Sequence, residues 1–328
     1  MRNLEVKVVK ELGQGGNSRV FLGKRSEDGS LVTLKTARLI DGKPDIHSLK
    51  SFENEANILE TLEHAAIPRF YGRIHNGIML EYFEGSSLEK VLLSKGPFGE
   101  KAAAKIALEL AAILRYLHGV RQPVIYRDLK PANIVFKGDG HVALIDFGAA
   151  RFFRAGDRGD TTNLGTYGFA APEQFGNLGQ TDPRTDIYCF GMTLLQLISG
   201  IDPKDDEAVR RCKQLGVSGI SHEFMQIIDK CTRPDREDRF KSAKEIQKAL
   251  LTYPKLVRRR KALGMLKTTT VAAVIALILS LGMIHFDSVK SYAASDMEKR
   301  LPAVQQRLYN AKLWILEKIE NELKESER

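Results

Sequence analysis

The chain has 328 residues, of which 43% are hydrophobic and 28% are charged, and its formal net charge at pH 7 is +9. This composition permits a sizeable core, the length suits about two domains, and the positive charge favours phosphate-bearing partners or an anionic membrane surface. The three cysteines, Cys189, Cys212 and Cys231, are too widely spaced for a disulfide framework, which indicates free thiols in a reducing compartment. The spacing of the histidines argues against a zinc enzyme.

Along the first 37 residues, apolar and polar residues alternate, and turn residues interrupt the pattern at 13–16 and 27–30. This pattern predicts three antiparallel strands, the first two joined by a glycine-rich turn. Helical spacing then predicts a helix from Phe52 to Leu62. The segment from Ile74 to Tyr82 is typical of two further strands joined at 75–77.

After residue 85 the apolar pattern becomes helical. The predicted helices cover residues 88–93, 101–118, 186–199, 222–231 and 242–251. The sequence therefore predicts an α+β fold in which a small strand-rich lobe precedes a larger helical lobe.

Residues 268–286 contain no Asp, Glu, Lys or Arg. A helix of this length reaches roughly 28 Å, close to the hydrocarbon thickness of a bilayer. A buried helix of a soluble domain is the alternative, but such a helix rarely lacks a polar face over five turns. We therefore predict one transmembrane helix over residues 268–286.

Basic residues are more frequent before this stretch than after it, which places the preceding part of the chain in the cytoplasm and residues 287–328 outside. The basic cluster 258–261 could also contact nucleic acid, but its position beside the span favours topology and anionic lipid. We expect no nucleic-acid partner.

In the tail, Leu301, Leu308, Ile315 and Ile319 lie near one helical face, which leaves dimerisation, membrane-surface binding and partner binding as alternatives.

The most informative stretch runs from Tyr126 to Asn133 and is followed by Asp146, Phe147 and Gly148. Asp128 can accept a proton from a hydroxyl group, and Asn133 and Asp146 supply oxygen ligands for magnesium. Phosphoryl transfer is catalysed mostly by positioning and charge neutralisation. Individually these residues would more often be surface polar groups, but the ordered set with this spacing indicates a phosphotransfer site.

These motifs resemble those of the protein kinases. Residues 13–20 resemble the glycine-rich loop, with Ser18 in place of its third glycine, and residues 32–35 resemble the strand that carries the phosphate-binding lysine. Residues 165–173 resemble the segment that ends in Ala-Pro-Glu. The matching motifs extend over residues 8–250.

The resemblance implies a role for each matching residue. Asp128 is the catalytic base, Lys130 lies near the transferred phosphate and favours Ser/Thr substrates, and Lys35 holds the ATP phosphates. Glu55 is the expected partner of Lys35, with Glu53 as a weaker candidate. Asn133 and Asp146 would hold Mg²⁺ (or Mn²⁺), and the other expected nucleotide-binding residues are Leu12, Gly13, Gly15, Gly16, Val20, Glu81, Tyr82 and Val135.

The resemblance also implies structural and regulatory roles. Asp186 braces the backbone of the catalytic loop, and Glu173 pairs with Arg239. Arg127 can bind a phosphate on the activation loop, where Thr161 and Thr162 are the candidate acceptors. This arrangement predicts activation by autophosphorylation.

Taken together, the motifs resemble a bacterial, membrane-anchored serine/threonine protein kinase of the eukaryotic-like (Hanks-type) class. The expected organisation is an N-lobe (1–83), a C-lobe (84–253), a basic juxtamembrane segment (254–267), the span (268–286) and an outer tail (287–328). A nucleotide-binding pseudokinase scaffold is the alternative, although such proteins usually lack one of Lys35, Asp128 and Asp146. A small-molecule kinase would lack the Ala-Pro-Glu segment and Lys130.

Overall fold

The structure, a computed structural model, describes residues 5–14, 18–154, 165–175, 180–292 and 301–326. The side chains of residues 264, 266–268, 281–292, 301–304 and 320–326 lie outside this description. The chain divides into two compact units, Met1–Val257 and Arg258–Arg328.

The first unit begins with a strand-rich lobe. Its strands are β1 (Val6–Gln14), β2 (Ser18–Arg25), β3 (Leu31–Ala37), β4 (Leu39–Ile40), β5 (Lys43–Pro44), β6 (Phe70–Ile74) and β7 (Gly77–Glu81). Five of them form an antiparallel sheet in the order β1-β2-β3-β7-β6, and β4 pairs with β5 in a separate hairpin. The predicted strands in this part of the chain are therefore present, although β6 begins before Ile74.

Strand register determines which side chains share a face of this sheet. Val20 lies opposite Lys35, and Thr33 lies opposite Leu80, so these four side chains are on one face. The opposite face of the sheet carries a small, separate apolar cluster formed by Val32, Leu34 and Met79. The sheet therefore presents Lys35 on the face whose Ile78 and Leu80 belong to the main core.

Helix α1 (Ile46–Leu59) follows the small hairpin. It begins six residues before the predicted start, because the carboxylate of Asp45 accepts hydrogen bonds from the backbone N–H groups of His47 and Ser48. Phe52, Ala56 and Leu59 bury one face of α1 in the main core.

The second lobe is mainly helical. Its elements are β8 (Gly85–Ser87), α2 (Leu88–Lys95), α3 (Glu100–Gly119), β9 (Val124–Ile125), β10 (Ile134–Lys137), β11 (Val142–Leu144), β12 (Arg151–Phe152), α4 (Pro183–Ser199), α5 (Asp206–Leu215) and α6 (His222–Cys231). Helices α3 and α4 are almost entirely buried along their inner faces. The sequence analysis did not predict α5, which is short and strongly polar and in which only Val209 is buried.

Two further helices complete the described chain, α7 (Ala243–Tyr292) and α8 (Leu301–Ser326). Helix α7 corrects the predicted end at Leu251, because it continues through Pro254 and beyond the first unit. Ile246, Leu250 and Tyr253 anchor its first turns in the core.

In the second unit, apolar side chains of α7 and α8 line one cavity, among them Val274, Ile278, Trp314 and Ile319. Within the described part of the chain, no helix combines the length and the apolarity that crossing a membrane requires. The predicted span over 268–286 includes residues 268 and 281–286, whose side chains lie outside the description.

Candidate active site

A buried ion pair links the sheet to α1. The Nζ atom of Lys35 lies 2.5 Å from Oε1 of Glu55 and 3.0 Å from Oδ1 of Asp146. Lys35 is 6% exposed and Glu55 is 1% exposed. Burial alone would lower the pKa of Lys35, but the carboxylates of Asp146 and Glu55 outweigh burial and raise it. The lysine is therefore held as a cation at the position predicted to receive phosphates.

Glu55 also holds the segment that contains Asp146. Its Oε1 atom accepts a hydrogen bond from the backbone N–H of Phe147 at 3.1 Å, and the Ser51 hydroxyl donates to the Gly148 carbonyl at 3.2 Å. Burial would raise the pKa of Asp146, but the nearby Lys35 ammonium outweighs it and lowers the pKa. The Asp146 carboxylate is thus ionised, and although protein atoms surround it, 48% of its side-chain surface remains accessible.

Asp128 lies at the centre of a hydrogen-bond cluster. Its Oδ2 atom is 2.8 Å from Nζ of Lys130 and 2.8 Å from Nδ2 of Asn133, and its Oδ1 atom accepts from the Thr166 hydroxyl at 2.7 Å. Lys130 also donates to Oγ1 of Thr166 at 2.5 Å. The structure thereby brings together Asp128, Lys130 and Asn133, which the sequence predicted, and adds Thr166 as a direct partner of both Asp128 and Lys130.

The carboxylate of Asp186 fixes the backbone just before Asp128. The carboxylate of Asp186 accepts hydrogen bonds from the backbone N–H groups of Tyr126 at 2.9 Å and Arg127 at 2.7 Å. Arg127 has φ +70°, a left-handed conformation that is rare for a residue with a side chain. The two bonds therefore stabilise an otherwise unfavourable backbone, which is the brace expected of Asp186.

Sequence reasoning missed His118. Its Nε2 atom lies 2.8 Å from Oδ2 of Asp186, and its side chain is 9% exposed. The sequence offers only a histidine at the end of an Ala- and Leu-rich helix, and no local pattern connects it with a residue 68 positions later. Only the folded structure identifies His118 as a partner of Asp186.

Tyr126 takes the position where the resemblance leads one to expect a histidine. Its ring is fully buried and meets Phe147 edge to face, with ring centroids 5.0 Å apart. Burial, followed by the charges of Asp146 and Asp128, raises its pKa well above the ordinary value. The phenol therefore stays neutral, and its ring packs against the segment that carries Asp146.

Several of the predicted nucleotide-binding residues belong to the described part of the chain. Val20 shares the sheet face of Lys35, Gly13 pairs with Val20, and Leu12 lies at an irregularity of β1. Val135 on β10 is 7% exposed. Gly15 and Gly16 lie outside the described residues.

Glu81, one of the predicted nucleotide-binding residues, uses one of its backbone groups within the protein. The backbone N–H of Glu81 donates a hydrogen bond to the carbonyl oxygen of Arg69 at 2.9 Å. Glu81 is the last residue of β7, and Arg69 directly precedes β6. This N–H is not available to an adenine ring, so the prediction for Glu81 is restricted to its carbonyl oxygen. Tyr82 follows directly after the strand.

The predicted pair between Glu173 and Arg239 is present and buried. Two parallel hydrogen bonds of 2.7 and 2.9 Å join the guanidinium to the carboxylate. Arg239 is 1% exposed, and its remaining N–H groups donate to the backbone carbonyls of Arg233, Arg184 and Pro234. All five donors of the guanidinium are thereby used.

Among the predicted regulatory residues, only Arg127 belongs to the described part of the chain. It is 4% exposed and adjoins Asp128. Thr161 and Thr162 lie outside the described residues.

The donor set of Asn133 and Asp146 fits a hard divalent cation. The Nδ2 atom of Asn133 donates to the carbonyl and to the carboxylate of Asp128, which directs its amide oxygen away from them. Asp146 uses Oδ1 for Lys35 and for the N–H of Gly148, so its other oxygen remains for coordination. Among the described residues, no group of three or more His, Cys, Asp or Glu side chains could hold a metal. Mg²⁺ commonly binds through one or two protein ligands plus phosphates and waters, which is consistent with this small set.

The fold combines a strand-rich lobe with a mainly helical lobe, and comparison with known proteins identifies the family. The chain belongs to the protein kinase domain family, whose model matches residues 6–252.

The chain is similar to several curated serine/threonine kinases. It is 36% identical to the probable serine/threonine-protein kinase PBL26 of Arabidopsis thaliana over 60% of this chain and 50% of that protein. It is 31% identical to the serine/threonine-protein kinase PknA of Nostoc sp., over 76% of this chain and 48% of that protein. It is also 31% identical to the serine/threonine-protein kinase D of Synechocystis sp., over 74% of this chain and 51% of that protein. The matched region therefore spans about half the length of these relatives.

Proposed function

We propose that this chain is an ATP-dependent protein kinase that transfers the γ-phosphoryl group to serine and threonine hydroxyls of proteins. The observation that carries this proposal is the cluster in which Asp128 contacts Lys130, Asn133 and Thr166 within 2.8 Å. It combines a proton acceptor, a cation and a fixed amide at one point of the fold.

The proposed chemistry assigns one task to each side chain. Asp128 orients the substrate hydroxyl and accepts its proton as the oxygen attacks phosphorus. Lys130 lies next to Asp128 and neutralises charge on the transferred phosphoryl group, while Lys35 neutralises charge on the phosphates at the sheet. The bond between the γ-phosphorus and the bridging oxygen breaks, and ADP leaves with that oxygen.

Asn133 and Asp146 would hold Mg²⁺ or Mn²⁺, which supplies charge neutralisation to the ATP phosphates when it is bound. The Lys35 ammonium lowers the pKa of Asp146 against the effect of burial, so this ligand is ionised across the physiological range. The contact between Lys35 and Glu55 fixes the Lys35 ammonium in the place that this role requires.

The test is phosphate transfer from γ-labelled ATP by the full-length chain, with Mg²⁺ or Mn²⁺ and a generic basic protein as acceptor. Asp128→Asn is the matched control, because it keeps the shape of the side chain and removes the proton acceptor. Label on serine or threonine in the wild type and its loss in the control would support the proposal. Nucleotide binding without any transfer would contradict it and favour a pseudokinase scaffold.

We further propose that autophosphorylation at Thr161 or Thr162 activates the enzyme. The support is Arg127, a cation directly before Asp128, which can form charge-assisted hydrogen bonds with a phosphate. A Thr161→Ala/Thr162→Ala variant should lose label in the segment 155–164 and phosphorylate the basic protein more slowly. Full activity in this variant would exclude activation through these residues.

We propose, finally, that residues 268–286 anchor the chain in the cell membrane with the kinase lobes in the cytoplasm, and that the amphipathic tail favours a homodimer. The support lies in the sequence, namely the uncharged stretch and the basic residues before it. Protease treatment of intact cells should remove only an epitope placed after residue 287. Equal protection of epitopes at both ends would contradict the topology, and a monomer in detergent would contradict the homodimer.

A further inference from the structure

Arg73 on β6 forms an extensive contact with the outer surface of α1. Its Nε and Nη2 atoms bind the two carboxylate oxygens of Glu53 at 3.0 and 2.9 Å. Its Nη1 atom binds Glu60 at 2.6 Å, and Nη2 also binds the amide oxygen of Asn57 at 2.9 Å. One side chain thus makes four hydrogen bonds to three residues of the α1 region.

These three residues form one stripe of the helix. Glu53, Asn57 and Glu60 are spaced by four and three residues, so they lie above one another on one face. Glu55 is two residues from Glu53, which corresponds to a rotation of roughly 200° around the axis. Helix α1 is therefore held on one side by Arg73 and on the opposite side by the contacts of Glu55 with Lys35 and Phe147.

The guanidinium of Arg73 is also held in place by its own strand. It lies over the ring of Phe70, 5.4 Å from the ring centroid, and Phe70 packs against the main core. Single ion pairs at this level of exposure, 42% for Arg73 and 57% for Glu53, contribute little, but a bidentate pair within a network is an exception.

We infer that Arg73 is a positioning residue that fixes the rotation of α1 and thereby keeps Glu55 within reach of Lys35. This inference rests on the proposed phosphotransfer activity. It also assigns a role to Glu53, which is a partner of Arg73 rather than of Lys35. The competing explanation is that the network only stabilises the strand-rich lobe.

A double-mutant cycle in the full-length chain separates these explanations. We expect Arg73→Ala to reduce kcat/KM for ATP about fivefold, the scale of one ion network. In a Glu55→Ala background the same change should have no further effect, because Arg73 acts through Glu55. Arg73→Lys should recover only part of the loss, because lysine lacks the bidentate fork.

Arg233→Ala is the matched control, since Arg233 and Asp229 form an exposed ion pair of 2.6 Å, with 53% and 41% side-chain exposure, away from α1. We expect its kinetics to equal those of the wild type. An equal loss from Arg73→Ala in both backgrounds, or no loss in either, would overturn the inference.

Hydrogen exchange gives a readout that does not need activity. Arg73→Ala should accelerate exchange of the α1 amides 46–59 and leave those of β2 and β3 unchanged. Uniform acceleration in α1 and in these two strands would favour general destabilisation of the strand-rich lobe, and either this result or no acceleration in α1 would contradict the positioning role. If the wild type were inactive but the exchange pattern were as expected, the proposed function would be refuted, whereas the positioning of α1 by Arg73 would still be supported.

Discussion

The buried pair of Glu173 and Arg239 allows a quantitative prediction. The guanidinium is closed off from solvent, and each of its five N–H groups has an acceptor, two on the carboxylate and three on backbone carbonyls. Removal of one partner of a buried ion pair typically costs about 3–5 kcal/mol, because the other charge stays buried without compensation. We therefore expect Arg239→Met to lower the free energy of unfolding by about 3–5 kcal/mol.

This loss is a large share of the roughly 5–15 kcal/mol that stabilises a typical native protein. Urea unfolding followed by far-ultraviolet circular dichroism is the suitable assay, because the single tryptophan, Trp314, belongs to the second unit, whereas Glu173 and Arg239 belong to the first. The exposed Arg233→Ala serves as the matched control and should change stability by less than about 1 kcal/mol.

The pair also predicts non-additivity. A Glu173→Leu/Arg239→Met double variant leaves no buried charge, so its loss should be smaller than the sum of the two single losses. The reasoning would be refuted if Arg239→Met were as stable as the control, or if the two single losses simply added.

Two further predictions concern the catalytic cluster. His118→Ala should reduce kcat more than KM, because it removes a side-chain hydrogen-bond donor from Asp186. His118→Gln should restore part of the rate. Equal rates in the wild type and both variants would contradict the role of His118 as a partner of Asp186. For Asp146, the pKa is lowered in the folded state, so its stabilising contact with Lys35 is present above the unfolded pKa of about 4 and is lost as the pH falls through the folded pKa. The difference in unfolding free energy between wild type and Lys35→Met should therefore shrink on acidification, and a constant difference from neutral pH to acid would contradict this assignment.

Sequence patterns predicted those features that depend on local spacing. Helices α3 and α6 have long apolar stripes, and each appears within two residues of its expected bounds. The contacts of Asp128 with Lys130 and Asn133 could be predicted because the spacing of these residues in the chain is itself the signal. The β4–β5 hairpin was missed although Asp41 and Gly42, both with positive φ, provide a recognisable turn signal.

Other features could not be predicted because they depend on contacts between distant segments. The bond between His118 and Asp186 joins residues 68 positions apart, and the hydrogen bond of the Glu81 N–H with Arg69 depends on how the chain approaches the edge of the sheet. Proline usually interrupts a helix, yet α7 passes through Pro254. Tyr253 before the proline is buried, and Val257 after it packs against the core.

Helix α1 illustrates why the site depends on more than its motif residues. Lys35, Glu55 and Asp146 come from three separate segments, and their charges meet only if α1 has the correct rotation. A helix turned by one residue, about 100°, would carry Glu55 out of reach of Lys35. Motif residues specify the chemistry, whereas contacts such as those of Arg73 and Ser51 specify the rotation, and substitutions of those contacts should change the rate while every motif residue is intact.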